Sequence, residues 1–307
     1  MKAIVCNKSG KPEVLRLADV DKPTPKDNEI LVKVMASSVT RGDVNLRTIP
    51  RFILHIIGFM FGFKPMRITG VEFAGRVEAI GQRVSRFRVG DEVFGTTSGL
   101  IYGGNAEYVC VPESWKLGVV GHKPANLSFA QAAVMPVGAM TAMDMFSRIS
   151  VKKGQKVLIN GASGSVGSYA VQLAKHFGAE VTAVCSTSNI ELVRSIGADH
   201  AIDYTKEDFC NGNVTYNVIF DAVGKLWKWN CKKILGAKGH FLTVRLPTKE
   251  KQEYLNLIKE LAESDALLPI IDRTYTLQQV PEAHRYVESG RKRGNVVVSI
   301  SEGEEHG

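Results

Sequence analysis

Residues 160–167 read Asn-Gly-Ala-Ser-Gly-Ser-Val-Gly, small and polar, between the apolar run "KVLI" and the helix-forming run "SYAVQLAKHF". A turn of this composition delivers free backbone N–H groups and the positive end of a helix dipole to one point. That point suits a phosphate or a pyrophosphate. Ser163, Gly164, Ser165, Val166 and Gly167 are therefore candidate binding residues. Gly164 would let the backbone approach the anion, and Gly167 would let the helix pack closely on the strand. Ala162 occupies the place of the first glycine of a dinucleotide fingerprint. The fingerprint gains weight from its context, which is strand, turn, helix and then a second strand.

The second strand, "EVTAVC", runs into Ser186-Thr187-Ser188, and no acid follows until Glu191. In NAD sites an Asp or Glu about 20 residues past the turn binds the adenine ribose. A carboxylate there repels a 2′-phosphate, whereas serine hydroxyls donate to one. Ser186 and Ser188 are assigned to such a pocket, with Ser188 also expected to cap a helix from Asn189. Tyr204, at the end of a third strand, adds a hydroxyl. The cofactor expected is NADPH.

The elements that must hold this turn alternate from about Lys152 onward. "KVLIN", "EVTAVC", "HAIDY" and "YNVIFDAVG" read as strands, with helices "SVGSYAVQLAKHFG" and "NIELVRSIG" between them, and "KKILGAKG" and "HFLTVR" continue the alternation. Such alternation predicts a parallel sheet with crossover helices. Residues 1–150 read instead as short β runs punctuated by glycine, a compact barrel-like arrangement. "LSFAQAAVMPVGAMTAMDMF" switches to helical spacing, with Ser128 as N-cap and Pro136 dividing the run.

The chain has 307 residues and a formal net charge of +8. Length favours two domains. The charge favours acidic ligands, but "RKR" at 291–293 is the one compact basic run, which argues against nucleic acid. Five scattered cysteines with no CxxC argue against a disulfide framework or a cysteine-rich zinc site, and for a reducing, cytoplasmic compartment. The N-terminus lacks the apolar core of a signal peptide. Residues 49–66, "IPRFILHIIGFMFGFKPM", are strongly apolar, yet Arg51, His55, Gly58 and Gly62 interrupt them. The run falls short of the ~20 apolar residues that span a bilayer. It reads as a buried segment or pocket lid, with contact to a membrane surface or an apolar substrate as the alternative.

Several stretches together, "GVEFAGRVEAIGQRVSRFRVGDEVFG", "GASGSVGSYAVQLAK", "ELVRSIGADHAIDY", "FDAVG" and "IDRTYTLQQVPEAHRYVESGRKRGNVVVSI", resemble the zinc-independent medium-chain dehydrogenase/reductases of the quinone oxidoreductase-like branch. The resemblance spans nearly the whole chain. It implies an α/β fold: a GroES-like β-rich domain over 1–124, a Rossmann doubly wound parallel sheet over 125–270, and a C-terminal segment, 271–307, returning to the first domain. It implies NADPH-dependent reduction of quinones, enones or related carbonyl compounds. Beyond the turn, it assigns Ser186 and Tyr204 to the 2′-phosphate, Val223 and Gly224 to the nicotinamide ribose, and Thr141 to the nicotinamide end. Arg293, Gly294 and Asn295 fall to a loop closing over the cofactor. Zinc-containing relatives carry Cys and His where Thr40 and Val71 stand, so no metal is expected. Family members are often dimers. Here the chain passes directly from Arg245 to "LPTKEKQEY", without the extra strand that usually makes the dimer edge, which argues against that pairing.

Hydride transfer asks the protein for alignment, dryness and polarisation. Apolar residues 49–66 would cover a cleft for a small apolar carbonyl or quinone. Thr40, Arg47 and Tyr102 are the candidates for polarising the substrate oxygen. Two rival readings are a non-catalytic NADPH-binding sensor and an enoyl-thioester reductase.

Overall fold

The computed structural model describes residues 1–62, 67–97 and 103–300. In chain order it contains β1 (Lys2–Cys6), β2 (Leu15–Asp19), β3 (Glu29–Ser38), α1 (Arg41–Thr48), α2 (Arg51–Phe61), β4 (Glu72–Ile80), β5 (Glu92–Thr96), β6 (Tyr108–Pro112) and β7 (Val120–His122). Helices α3 (Phe129–Ala133) and α4 (Pro136–Ser147) follow. Then come β8 (Lys156–Asn160), α5 (Ser165–His176), β9 (Glu180–Cys185), α6 (Ile190–Ser195), β10 (His200–Asp203), β11 (Tyr216–Asp221) and β12 (Leu235–Thr243). The last elements are α7 (Gln252–Glu263), β13 (Ile271–Thr276), α8 (Val280–Glu288) and β14 (Asn295–Ser299).

The chain divides into two compact units. The first takes Met1–Val137, Lys251–Glu263 and the chain from Ile271 onward; the second takes Gly138–Glu250 and Ser264–Ile270. The compact units divide at 137/138 and not at 124/125, and they keep α3 and α7 with the first; at 270/271 the chain passes from the second unit back to the first. The reason for α7 is its apolar stripe: Leu255, Ile258 and Leu261 are buried, and Asn126 Nδ2 donates to Ala262 O at 2.8 Å.

In the first unit, strands run in the order β13-β14-β3-β4-β5-β7, with β6 also pairing β3. β3 is apolar on both faces, eight of its ten positions being Ile, Leu, Val, Met, Ala or Ser that lie buried. Ile30, Val32 and Val34 pack with Phe73, Val93, Val109 and Val120. The C-terminal segment is built into this unit: β14 pairs antiparallel with β3, and α8 places Val280, Ala283 and Val287 against Ile4, Val39 and Val44.

In the second unit, five parallel strands follow the order β10-β9-β8-β11-β12. This is the doubly wound order, with its switch point at the carboxyl end of β8, where such sheets bind ligands. "KKILGAKG" and "HFLTVR" do not form two elements. They merge into the single strand β12, with a register irregularity against β11 between Tyr216 and Val218. Gly236 and Gly239 soften that strand. Among the described residues β12 is the outer strand of the sheet, and Lys238 and His240 on it are exposed. Polar and charged side chains of this kind discourage edge pairing.

The 49–66 expectation is corrected for its described part. α2 is not buried: Phe52, Ile53, Ile56, Phe59 and Met60 are exposed, Phe59 to 90%. Only one arc of the helix, carrying Leu54 and Gly58, turns inward. Residues 63–66 and Tyr102 lie outside the described residues.

Candidate cofactor site

The turn between β8 and α5 is set by three glycines with separate duties. Gly161 sits at φ +77, and a Cβ there would lie 2.4 Å from Val223 Cγ2. Its N–H donates to Val184 O at 3.0 Å, which fastens the turn to β9. A Cβ on Gly167 would lie 2.1 Å from Gly161 O, so the bare glycine is what lets α5 lie against the end of β8. Gly164 is different. It is the N-cap of α5 in extended backbone, with no side-chain cap. The nearest atom to a Cβ there is Gly161 O, at an ordinary 3.4 Å. The protein therefore leaves space beside Gly164, at a helix start whose first N–H groups lack intrahelical partners. The residues fit a pyrophosphate. The tight-turn duty belongs to Gly161 and not to the position of Ala162; the Asn-Gly dipeptide at 160–161 was the available signal.

A polar cluster adjoins this turn at the end of β9. Asn189 Nδ2 donates to Ser163 Oγ and to Ser186 Oγ, each at 3.1 Å. Ser186 Oγ and Ser188 Oγ are 3.4 Å apart. Asn189 Oδ1 is buried without a hydrogen-bond partner. A buried orphan acceptor is unusual and marks a place where a donor on a ligand would be satisfied. Ser163, Ser186 and Ser188 are thus brought together, and Asn189, which was not singled out from sequence, joins them. The capping expectation for Ser188 is corrected: Ser188 lies inside a short 3-10 turn, Thr187–Asn189, and Asn189 itself is the N-cap of α6. Tyr204 is held nearby through its N–H, which donates to Cys185 O at 3.1 Å, and its side chain is exposed.

A carboxylate does approach this cluster, contrary to the sequence expectation. Asp203 on β10 stands in register with Cys185. It accepts from Thr187 Oγ1 and, at 2.6 Å, from Thr205 Oγ1. These hydroxyls, Thr187 foremost, hold its pKa down at about 2. Lys206 Nζ lies 3.6 Å away. The acid is one strand further on than a linear search reaches, which is why sequence spacing missed it.

The opposite side of the turn is organised by Asp221 at the end of β11. Its buried carboxylate accepts from Asn160 Nδ2 at 2.9 Å, Val223 N at 3.2 Å and Leu226 N at 2.8 Å. These bonds fix the Val223–Gly224 bend, where Gly224 has φ +77. Arg245 Nε closes the bend by donating to Gly224 O at 2.6 Å, and its guanidinium lies 3.9 Å over the Trp227 ring. Neither Asp221 nor Arg245 was singled out from sequence. Thr141 is half-buried on α4. α4 meets the start of α5 closely, since a Cβ on Gly138 would lie 2.6 Å from Ser165 Oγ.

In the first unit the substrate-polarising candidates are corrected. Thr40 is the N-cap of α1 in a capping box: its Oγ1 donates to Asp43 Oδ2 at 2.6 Å and accepts from Asp43 N at 3.1 Å. The hydroxyl proton is therefore committed. Arg47 is 3% exposed. Its guanidinium donates to Gly10 O at 3.0 Å, meets His284 Nδ1 at 3.1 Å and pairs with Glu288. Arg47 ties α1 to α8 and has no free face for a substrate. Arg293 is exposed, its N–H donating to Asp272 Oδ2 at 2.8 Å. Gly294, at φ +67, leads into β14, where Asn295 is buried.

Ionisable groups collect in this unit. Glu72 is 1% exposed and accepts from Ser38 Oγ at 2.5 Å and Val137 N at 2.8 Å. Burial pushes its carboxyl up to about 8, and burial pushes Asp43 up to about 6. Burial brings half-buried Lys292 down to about 8, against the opposing pull of Glu72, Asp272 and Asp43. Among the described residues no three His, Cys, Asp or Glu side chains stand together as a metal would need. The donors beside Asp43 and Glu72 are hydroxyl and backbone groups already bonded to them, which do not fit zinc.

Residues 26–122 match the alcohol dehydrogenase GroES-like domain family, and residues 165–268 and 243–298 match two zinc-binding dehydrogenase families. The chain is 33% identical to a 2-methylene-furan-3-one reductase of Solanum lycopersicum, across 97% of this chain and 79% of that protein. It is 34% identical to a mitochondrial NAD(P)H oxidoreductase of Mus musculus, across 98% and 89%. Among solved structures, the quinone oxidoreductase of Coxiella burnetii superposes with a TM-score of 0.83 at 28% identity, covering 98% of this chain and 99% of that one. With the glycine turn, the doubly wound sheet and the returning C-terminal segment in one chain, the protein belongs to the medium-chain dehydrogenase/reductase superfamily, on its quinone oxidoreductase-like branch.

Proposed function

We propose that this protein is an NADPH-dependent reductase of small apolar acceptors, quinones, enones or enals, working without zinc. The observation that carries the reading is the vacant side of Gly164 at the start of α5, next to the Ser163–Asn189–Ser186 cluster. The bound nicotinamide would supply the hydride. The chain's own part is to hold the pyrophosphate on the N–H groups of α5 and to align the ribose against the Val223–Gly224 bend. Hydroxyls of Ser186 and Ser188 favour the 2′-phosphate. Asp203 opposes it less than a free acid would, because Thr187 and Thr205 occupy its oxygens and Lys206 balances its charge. A Solanum lycopersicum reductase and an Arabidopsis thaliana NADPH-dependent alkenal/one oxidoreductase, both over 30% identical, support the substrate class. Five unbridged thiols suit a reducing, cytoplasmic setting.

The test is NADPH oxidation by the purified chain over a panel of quinones, enals and enoyl thioesters, with NADH in parallel. Saturable turnover of a quinone or enal, with NADPH preferred, is expected. Tight NADPH binding with no turnover on any acceptor would overturn the enzymatic reading, and an NADH preference would overturn the cofactor assignment.

A further inference from the structure

The outer face of α2 has no task in the fold. On a helix, 100° per residue places His55, Phe59, Phe52, Ile56, Met60 and Ile53, in that angular order, on one arc of roughly 160°. All six are exposed: Phe59 to 90%, Phe52 and Met60 to 66% each, and Ile56 to 54%. The remaining arc, with Leu54 and Gly58, is buried and holds the helix down on the unit. Five large apolar side chains on one exposed helix face exceed what a soluble surface ordinarily shows as scattered residues. The helix is about 16 Å long, and no helix among the described residues is long and apolar enough to cross a membrane.

The chain segment that carries this helix has charge of one sign. The sequence carries no Asp or Glu between Asp43 and Glu72, and both of those are buried. Burial pushes the Cys6 thiol up, and Arg51 at the N-terminal end of α2 opposes that rise, which sets its charge near Cys6. Cys6 N donates to Arg67 O at 2.7 Å, and Cys6 Sγ to Lys8 O at 3.3 Å. Lys8 and Arg67 are exposed. The whole chain is at +8.

We propose that the outer face of α2 docks on an anionic lipid bilayer, lying flat in the interface with Phe52, Ile56, Phe59 and Met60 among the acyl chains and Lys8 and Arg67 over the headgroups. An interfacial helix of this kind buries its apolar face ~5–10 Å deep and gains further from basic residues beside anionic lipid. A second copy of the chain is the poorer occupant, because it would set the same cations against themselves.

The test is flotation of the full chain with phosphatidylcholine vesicles, with and without phosphatidylglycerol. The chain should float with the anionic vesicles, less so as salt is raised. The Ile56→Ser/Phe59→Ser variant should bind at least about tenfold more weakly, since one large apolar side chain withdrawn already accounts for that factor. Lys8→Glu/Arg67→Glu should lose several-fold on anionic vesicles only. As a readout that does not depend on those variants, Phe59→Trp should show emission quenched by brominated lipid beyond that of the parent chain. Failure to float, undiminished flotation of the Ser variant, or no added quenching in Phe59→Trp would overturn the proposal. So would a dimer in vesicle-free solution that Ile56→Ser/Phe59→Ser dissolves, because the face would then belong to a second copy.

Discussion

Gly164 and Gly167 stand three residues apart in one turn, yet substitution should damage different properties of the protein. At Gly167 a Cβ would meet Gly161 O at 2.1 Å. Neither partner is a flexible side chain, so α5 must move off β8. Overpacking of this type costs ~1–3 kcal/mol, and each kcal/mol lowers the melting temperature by roughly 2–4 °C for a chain of 150–250 residues. Gly167→Ala should therefore melt several degrees lower. At Gly164 the backbone is already extended, at φ −83 and ψ 178, and a Cβ meets nothing closer than 3.4 Å. Gly164→Val should alter stability by less than ~1 kcal/mol, the small loss at an N-cap being set against the stiffer unfolded chain. A valine there does enter the space assigned to the pyrophosphate. Losing one charge-assisted hydrogen bond, ~1.5–3 kcal/mol, should weaken NADPH by about tenfold to a little over a hundredfold. Thermal melts and calorimetric NADPH titration of both variants measure the two quantities separately. Unchanged NADPH affinity in Gly164→Val would refute the assigned turn. A drop in melting temperature as large as that of Gly167→Ala would refute the claim that the space is open.

Ser186→Asp should shift preference from NADPH toward NADH, by at least tenfold in the ratio of affinities, because a carboxylate replaces a donor; parallel titration with the two cofactors reads it. Glu72→Gln should flatten the pH dependence of stability. Burial raises the folded Glu72 carboxyl to about 8 from an ordinary 4.5, so the native state holds more protons than the unfolded chain between those values. Stability then falls as pH rises from 4.5 to 8. Melts across that range should show the wild type losing a few kcal/mol more than the variant. His284 works in the opposite sense: burial first, then Arg47, lowers its pKa from 6.5 to about 3. The native state therefore loses stability on acidification below 6.5, and His284→Gln should lose less. Arg47→Ala should cost ~1–3 kcal/mol, because it leaves Gly10 O and His284 without their buried donor while the partly exposed Glu288 rehydrates; denaturant unfolding reads it, and an unaltered midpoint with lost activity would return Arg47 to a catalytic role.

Legibility in the sequence followed the range of the interactions. The alternation of strand and helix from Lys152 to Asp221 was readable because each element repeats an apolar period within a few residues. Gly167 was readable for the same reason, since its clash partner, Gly161 O, lies in the same turn. The merged strand β12 was not, because its pairing with β11 is a register property, and two glycines read locally as punctuation. Nor was the outward face of α2. Apolar content predicts burial only on average, and the exposed arc of that helix breaks the average.

The site shows the same division. Thr40 drew attention as a hydroxyl where zinc-containing relatives carry Cys, but Asp43, three residues on, accepts its hydrogen bond in a capping box. The Thr-x-x-Asp spacing resembles the capping-box signature in the sequence itself. The absence of an acid after Cys185 was true of the strand and untrue of the pocket, since Asp203 enters from the neighbouring strand 18 residues later. Its two oxygens are held by hydroxyls from both sides, Thr187 and Thr205. That arrangement turns cofactor preference into a question of competition. A 2′-phosphate must outbid Asp203 for hydroxyl donors around Ser186–Ser188, and it brings more charge and more acceptor oxygens than a ribose hydroxyl. Asp203→Asn should consequently strengthen NADPH binding relative to NADH by removing like charge, most clearly at low salt, where screening is weakest. An unchanged ratio would place the 2′-phosphate away from β10.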